Sequence, residues 1–391
     1  MTTRLKIADY CLKASKSSLG RPICTLLPAF SDSLEEFFSG LRKYEQLRDE
    51  VSSLNIYLSE NNGGKVTIVF DAKCGPNSYG DFSKYLLLAK VLQSRFLVKF
   101  VIVADELGRF WRNMTPEEIQ VLTHQYVLLA SGIVHNPEVN VVLANSFKEI
   151  DFDEKFNFVI FRKKTLDRKL DFWNLQWLLI LLYQKEWFGN ELLLDKNDFT
   201  PPKVSPANPY VVWQIRYGSE SATHKNETTE SLVECYKQLR NILGNNIEII
   251  VCSSSAGLSE ILKIAANHKF KLTSARKYSQ DFSGDIGLAF HAKLFVQLGN
   301  GGMGEYFLLG SNKFLFAGAN FDQQRPVLRT LLSTKKTPYM YYPWLRESQI
   351  LASDVYSPKL TFIPPIYWKK ISSNLKSRGL VEKESSSGVS S

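Results

Sequence analysis

The sequence predicts an α/β protein made of two parallel-sheet domains with a helical N-terminal lead-in. Three observations carry that expectation. Short apolar runs rich in β-branched residues, beginning with Val66-Thr67-Ile68-Val69-Phe70, alternate with helix-length segments, as parallel strands joined by crossover helices require. The alternation halts in the charged, proline-bearing stretch Asp195–Pro202 and starts again at Tyr210, which reads as a linker near residue 200. Finally, 391 residues with 44% apolar content supply the cores of two ordinary domains.

Residues 1–62 read as amphipathic helix, with Ser33 and Glu36 set as a capping box ahead of Phe37, Leu41, Tyr44, Leu47 and Val51. Asn61-Asn62-Gly63-Gly64 ends that pattern, and a first α/β domain over 63–200 follows. Its first strand leads into a loop from Asp71 to Asp81, a helix over Phe82–Gln93 and a strand over Val98–Ala104, a βαβ unit. Thr115-Pro116-Glu117-Glu118 announces a second helix through an N-cap threonine and a first-turn proline. Strands are expected at Val139–Leu143 and Phe156–Phe161.

The segment Phe172–Phe188 is unbroken in its apolar run only from Trp177 to Tyr183, far short of the ~20 residues a bilayer span needs. It reads as a buried helix, the other reading being an interfacial helix in peripheral contact with a membrane. Residues 201–330 repeat the alternation. Strands fall at Tyr210–Ile215, Ile247–Cys252, Phe270–Thr273, Leu294–Leu298 and Lys313–Ala317, with helices over Thr229–Leu243 and Leu258–Ala266 and a short one after a glycine-rich turn. This is the build of two Rossmann-like domains. The aromatic, proline-rich residues 331–369 are expected to pack back across both domains, and 370–391 to form a flexible tail.

A formal charge of +9 suggests an anionic ligand or substrate, yet the segment from Lys369 onward contributes +3 of it. The remaining +6 is spread thinly, so nucleic acid is not an expected partner. Cys11, Cys24, Cys74, Cys235 and Cys252 have neither CxxC spacing nor an even count, which argues against a zinc site or a disulfide framework and suits a reducing, cytoplasmic compartment. The N-terminus lacks the apolar core of a secretory signal.

Ligands of parallel sheets sit at the carboxyl ends of strands, so the loops after each strand are where chemistry is expected. In Ser78-Tyr79-Gly80-Asp81, Asp81 is placed either as a general base for an acceptor hydroxyl or as a helix N-cap; Asp71, at the preceding strand end, is the reserve candidate. In Gln214-Ile215-Arg216, the arginine can grip a diphosphate with two donors or serve in a surface ion pair, and His224 and Lys225 follow as added positive charge or plain loop residues. The third stretch is Asn300-Gly301-Gly302-Met303-Gly304-Glu305, a glycine-rich turn between strand and helix that can cradle a phosphate or merely turn the chain. Glu305 either accepts from ribose hydroxyls or favours its own helix terminus, and His291 and Lys293, just before the strand, are candidates for the same cleft. No His/Asp/Glu cluster suggests a metal, and neither a P-loop nor a GxSxG elbow is present.

Taken together, Ser78-Tyr79-Gly80-Asp81 after the first strand and Asn300-Gly301-Gly302-Met303 late in the second domain resemble the heptosyltransferase-like group of GT-B glycosyltransferases. That resemblance implies two Rossmann-like domains of GT-B type, Asp81 as catalytic base, and the turn at Asn300 as the seat of the donor diphosphate, where the group carries an Asp-Thr-Gly-Leu-like sequence. Gln214-Ile215-Arg216 is similar, to a lesser degree, to the His-x-Arg stretch of fucosyltransferases, with Gln214 in place of the histidine and Ser219 in place of a later aspartate. The reaction implied is an inverting, metal-independent transfer from a nucleotide sugar, which is substrate rather than cofactor, to a glycan or glycolipid hydroxyl in polysaccharide biosynthesis.

Three other readings stay open. An NAD(P)-linked oxidoreductase is suggested by Asp105 at the second strand end, although the first loop holds Pro76 and no GxGxxG. His291-Ala292-Lys293 followed by Gly310-Ser311-Asn312 is faintly similar to the phospholipase D pattern, with His291 as nucleophile. The net charge alone supports a non-catalytic polyanion binder.

Overall fold

The computed structural model describes residues 60, 63–71, 79–104, 115–150, 157–159, 175, 178–179, 182–183, 186–217, 228–297, 302–310, 314–316, 372–373 and 376. The lead-in over 1–59, Ser78, Asp105, Ser219, His224, Lys225, Asn300, Gly301 and the segment 331–369 lie outside the described residues. Two compact units are present, the chain changing from one to the other between Leu194 and Asp195, with Leu308–Ser311 belonging to the first.

The first unit carries β1 (Lys65–Asp71), α1 (Tyr79–Gln93), β2 (Leu97–Val103), α2 (Pro116–Ser131), the single turn α3 (Pro137–Asn140), β3 (Val141–Ala144) and β4 (Asn157–Val159). The strands form one parallel sheet in the order β3-β2-β1-β4, and β1 pairs along its whole length with β2, from Lys65 opposite Leu97 to Asp71 opposite Val103. A central strand covered on both faces is mostly apolar, and Val66, Ile68, Val69 and Phe70 are accordingly buried. Phe70 meets Phe82, Tyr85 and Tyr126 edge to face, with ring centroids 4.8, 5.3 and 4.9 Å apart, tying α1 and α2 to one face of the sheet. The other face carries Val69, Val101 and Val103 against Phe147 and Ile150. Leu175, Leu178, Leu179 and Leu182 are helical and buried, as the reading of 172–188 expects. Leu194 then bridges Gly310 in parallel, its N–H donating to the Leu309 carbonyl at 3.1 Å.

The second unit holds β5 (Tyr210–Gln214), α4 (Thr229–Leu243), β6 (Glu248–Cys252), α5 (Ser255–Asn267), β7 (Thr273–Ser274), α6 (Phe282–Phe290), β8 (Leu294–Gln297), α7 (Gly302–Leu308) and β9 (Phe314–Phe316). Its five parallel strands run β7-β6-β5-β8-β9. Side-chain alternation divides this sheet. Val211, Trp213, Ile249, Val251, Leu294 and Val296 pack with the apolar stripes of α4 and α5, whereas Phe295 stacks on Phe307 of α7 at 4.0 Å.

Where elements differ from expectation, the cause is local. Helix α1 starts at Tyr79, three residues before Phe82, because Gly80 and Asp81 are accommodated in its first turn. The strand expected from Val139 opens instead as α3, which Pro137 at the first helical position favours, and β3 begins at Val141. The strand expected over Phe270–Thr273 is reduced to Thr273–Ser274: Phe270 N–H closes the turn after α5 on the Ala265 carbonyl at 2.7 Å, and its ring stacks on Tyr236 at 3.9 Å. Helix α6 was not expected at all. Its two glycines blur the helical pattern, yet Gly287 lies against the backbone carbonyl of Thr200, a contact that a Cβ would forbid. The stretch read as a linker is itself built, with Asp195 and Asp198 forming a reciprocal cap and Phe199 packed on Phe290 at 4.5 Å.

Candidate functional site

In the second sheet, β6 and β7 extend to one side of β5 while β8 and β9 extend to the other. The order in which the chain adds strands therefore reverses between β5 and β8, and the crevice above their carboxyl ends is where doubly wound sheets hold ligands. Three side chains stand in register there: Cys252, Gln214 and Gln297 occupy matching positions on β6, β5 and β8. Alternation turns them away from the Trp213 core and towards the face carrying α6 and α7.

Arg216 lies two residues beyond β5, half-buried, and burial lowers the proton affinity of its guanidinium. A guanidinium remains charged through such a shift, so the crevice keeps a cation whose hydration is already reduced. Gln214 presents a side-chain oxygen that is buried and has no hydrogen-bond partner. A buried acceptor in that state gains by receiving a ligand N–H or hydroxyl. Of the glycine-rich stretch, Gly302, Met303, Gly304 and Glu305 form the first turn of α7, the next element after β8; Met303 is buried and Glu305 half-buried. A Cβ at Gly304 would overlap the Gln297 side-chain oxygen, so that side chain would have to move. His291 and Lys293 do not join this group. His291 caps the carboxyl end of α6 and Lys293 N–H bonds the Tyr210 carbonyl at 3.0 Å, so both sit exposed at the amino end of the sheet, a strand length of roughly 13 Å from Gln297. That edge is the wrong one for the cleft expected of them, and equally for a His291 nucleophile sharing it.

Two groups at the carboxyl end escaped sequence reading. Arg276, just after β7, pairs with Asp285 in the first turn of α6, and Asp285 also accepts from the Ser279 hydroxyl. Burial raises the proton affinity of Asp285, opposed by Arg276 and Ser279. The Cys252 thiol is pushed up by its own burial and then by the charge of Asp285. The usable signal was Asp281-Phe282-Ser283-Gly284, an N-cap aspartate whose side chain accepts from the Gly284 N–H at 2.8 Å.

In the first unit, Asp81 is the third residue of α1 rather than its cap, its side chain 18% exposed, with the Lys84 ammonium 3.8 Å away and 2% exposed. A carboxylate in a first helical turn is favoured by the unpaired N–H groups there. Asp71 ends β1 fully buried, and alternation turns it to the face of Val69, away from the Phe70 face on which α1 packs. Among the described residues no group of three or more His, Cys, Asp or Glu is placed to hold a metal, and no helix is long and apolar enough to cross a membrane.

These strand orders put both units in the doubly wound α/β class. No protein-family model and no curated protein matches the chain. Solved structures similar to it include a glycosyl transferase family 9 protein from Veillonella parvula DSM 2008, at 12% identity over 66% of this chain and 81% of the other, with a TM-score of 0.40. Another is ADP-heptose LPS heptosyltransferase II of E. coli, at 14% identity over 81% and 98% of the two chains, with a TM-score of 0.43. A third is glycosyltransferase VinC in complex with DTDP, at 11% identity over 81% and 96%, with a TM-score of 0.27.

Proposed function

We propose that this chain is a glycosyltransferase that moves a sugar from a nucleotide-activated donor to a hydroxyl of a glycan or lipid-linked acceptor. The observation that carries the reading is Arg216, a half-buried guanidinium just beyond the central strand at the point where the strand order reverses, with the start of α7 following the neighbouring strand. A fixed, partly desolvated cation suits a diphosphate, whose negative charge grows as its bond to the sugar breaks. In this reading the acceptor oxygen attacks the anomeric carbon, Asp81 takes the hydroxyl proton, and the carbon–oxygen bond to the diphosphate breaks with inversion. The electron pair leaves on the nucleoside diphosphate, held by Arg216 and the glycine-rich stretch from Asn300 to Gly304, and the Gln214 oxygen accepts from the nucleotide or its ribose. Because Arg216 supplies the neutralising charge, the scheme requires no metal.

The test is a screen of UDP-, GDP-, ADP- and CMP-sugars, beside NAD(H), against the full chain, by thermal shift and by release of free nucleotide, with and without chelator. Stabilisation and release with one nucleotide class, unchanged by chelator, is the expected outcome. Stabilisation by NAD(H) alone would reject the reading.

A further inference from the structure

Lysine is rarely buried, because desolvating an ammonium is costly unless a counter-charge stays close. Lys84 is 2% exposed within a run of buried α1 residues from Phe82 to Ala89, and the carboxylate facing it is Asp81, at 3.8 Å. Aspartate and lysine three apart on a helix are commonplace on surfaces, where water screens them. Here the cation is inside, so its field acts on the carboxylate through protein rather than water.

We propose that Lys84 is a positioning residue for Asp81: its buried ammonium keeps the Asp81 carboxylate ionised and turned towards the acceptor hydroxyl. The inference rests on Asp81 being the base of the glycosyl transfer described above. At 3.8 Å the pair is longer than a hydrogen bond, so the interaction is one of charge and not of a shared proton. Such a neighbour lets the base stay deprotonated at lower pH, at the cost of a weaker pull on the acceptor proton.

Among the described residues, the other ionisable groups on the elements packed against α1 are few. From β1 comes Asp71, directed to the opposite face of the sheet. β2 offers Lys99, near its amino end. The buried face of α2 offers Tyr126, in ring contact with Tyr79 at 5.6 Å. The turn at Asn190–Leu192 offers Glu191, beside the far end of α1 where Lys90 donates to the Leu193 carbonyl at 2.9 Å. Among these described groups none is a cation at the Asp81 end of α1.

The experiment compares the full chain with Lys84→Met and Lys84→Arg, reading the Asp81 carboxyl carbon by NMR titration, assigned from Asp81→Asn, beside the pH profile of kcat/KM. The expected result is an upward move of about one to three pH units in Lys84→Met for both the Asp81 titration and the acidic limb, an unchanged KM for donor, and near-normal values in Lys84→Arg. An Asp81 titration that stays put in Lys84→Met overturns the inference, as does a moved titration with an unmoved acidic limb. Should the wild-type chain turn over no nucleotide sugar while the Asp81 titration still moves, the pairing stands and the glycosyl-transfer reading fails. Lys84→Gln repeats the measurement if Lys84→Met does not fold.

Discussion

Gln297, the last residue of β8, lays its side-chain oxygen over Gly304 in the first turn of α7, filling the place a Cβ would occupy. The glycine is thus held by a side chain and not by its backbone angles. Gln297 is buried and its side chain has little room to withdraw, so Gly304→Ala is expected to lose about 1–3 kcal/mol through overpacking. This should outweigh the ~1 kcal/mol that alanine gains over glycine in a helix. Urea unfolding is the check, and Gly304→Ala combined with Gln297→Ala should recover most of the loss, because shortening Gln297 reopens the space.

Asp285 yields a pH prediction. Its folded-state proton affinity is raised by burial, so the folded form binds more protons than the unfolded one above the ordinary carboxylate value of about 3.9. Its contribution to stability is complete below that value and is lost as pH rises through the raised one. Asp285→Asn should therefore lack a fall in stability that the wild type shows as pH rises above ~4. Denaturation midpoints of both proteins across that range are the measurement.

Arg240 joins three segments of the second unit. Its guanidinium donates to the Gly244 carbonyl at 3.0 Å, the Ile247 carbonyl at 2.7 Å and the Lys271 carbonyl at 2.9 Å, bringing the end of α4, the approach to β6 and the approach to β7 together. Gly244 ends α4 with a φ of 72°, a conformation in which side chains are strained. A lysine cannot span three carbonyls with one ammonium. Arg240→Lys is expected to cost about 1–2 kcal/mol, at the low end for charged donors because two of the three contacts are exposed.

For Arg216, a lysine keeps the charge but loses the planar fork. Arg216→Lys should weaken nucleoside diphosphate binding roughly 10–100-fold by calorimetry, with the unfolding midpoint little changed.

The legible part of this chain was whatever rests on local pattern. Val66–Phe70 and Ile249–Val251 are apolar because parallel strands are covered on both faces, and Thr115 with Glu118 caps α2 as its sequence announces, the Glu118 N–H donating to the threonine hydroxyl at 3.2 Å. Arg216 and Asp81 could be singled out because strand ends and helix starts are visible in one dimension. The Arg276–Asp285 pair could not, since it joins two segments through a helix whose glycines serve contacts with Thr200 and Ser279. Gln297 was missed for a similar reason: its place beside Gln214 depends on strand register, which no single stretch encodes. His291 and Lys293 were misplaced because proximity to a strand in sequence does not say which of its ends they occupy.

The central claim is a donor diphosphate held by Arg216 and an acceptor proton taken by Asp81. The most direct measurement follows nucleotide release and sugar transfer by the wild type, Asp81→Asn and Arg216→Ala, with whichever nucleotide sugar stabilises the wild type. The account predicts that Asp81→Asn binds donor normally but loses turnover by about 10²–10⁴-fold, while Arg216→Ala loses donor binding itself. Full turnover in Asp81→Asn, or unaltered donor affinity in Arg216→Ala, would contradict it.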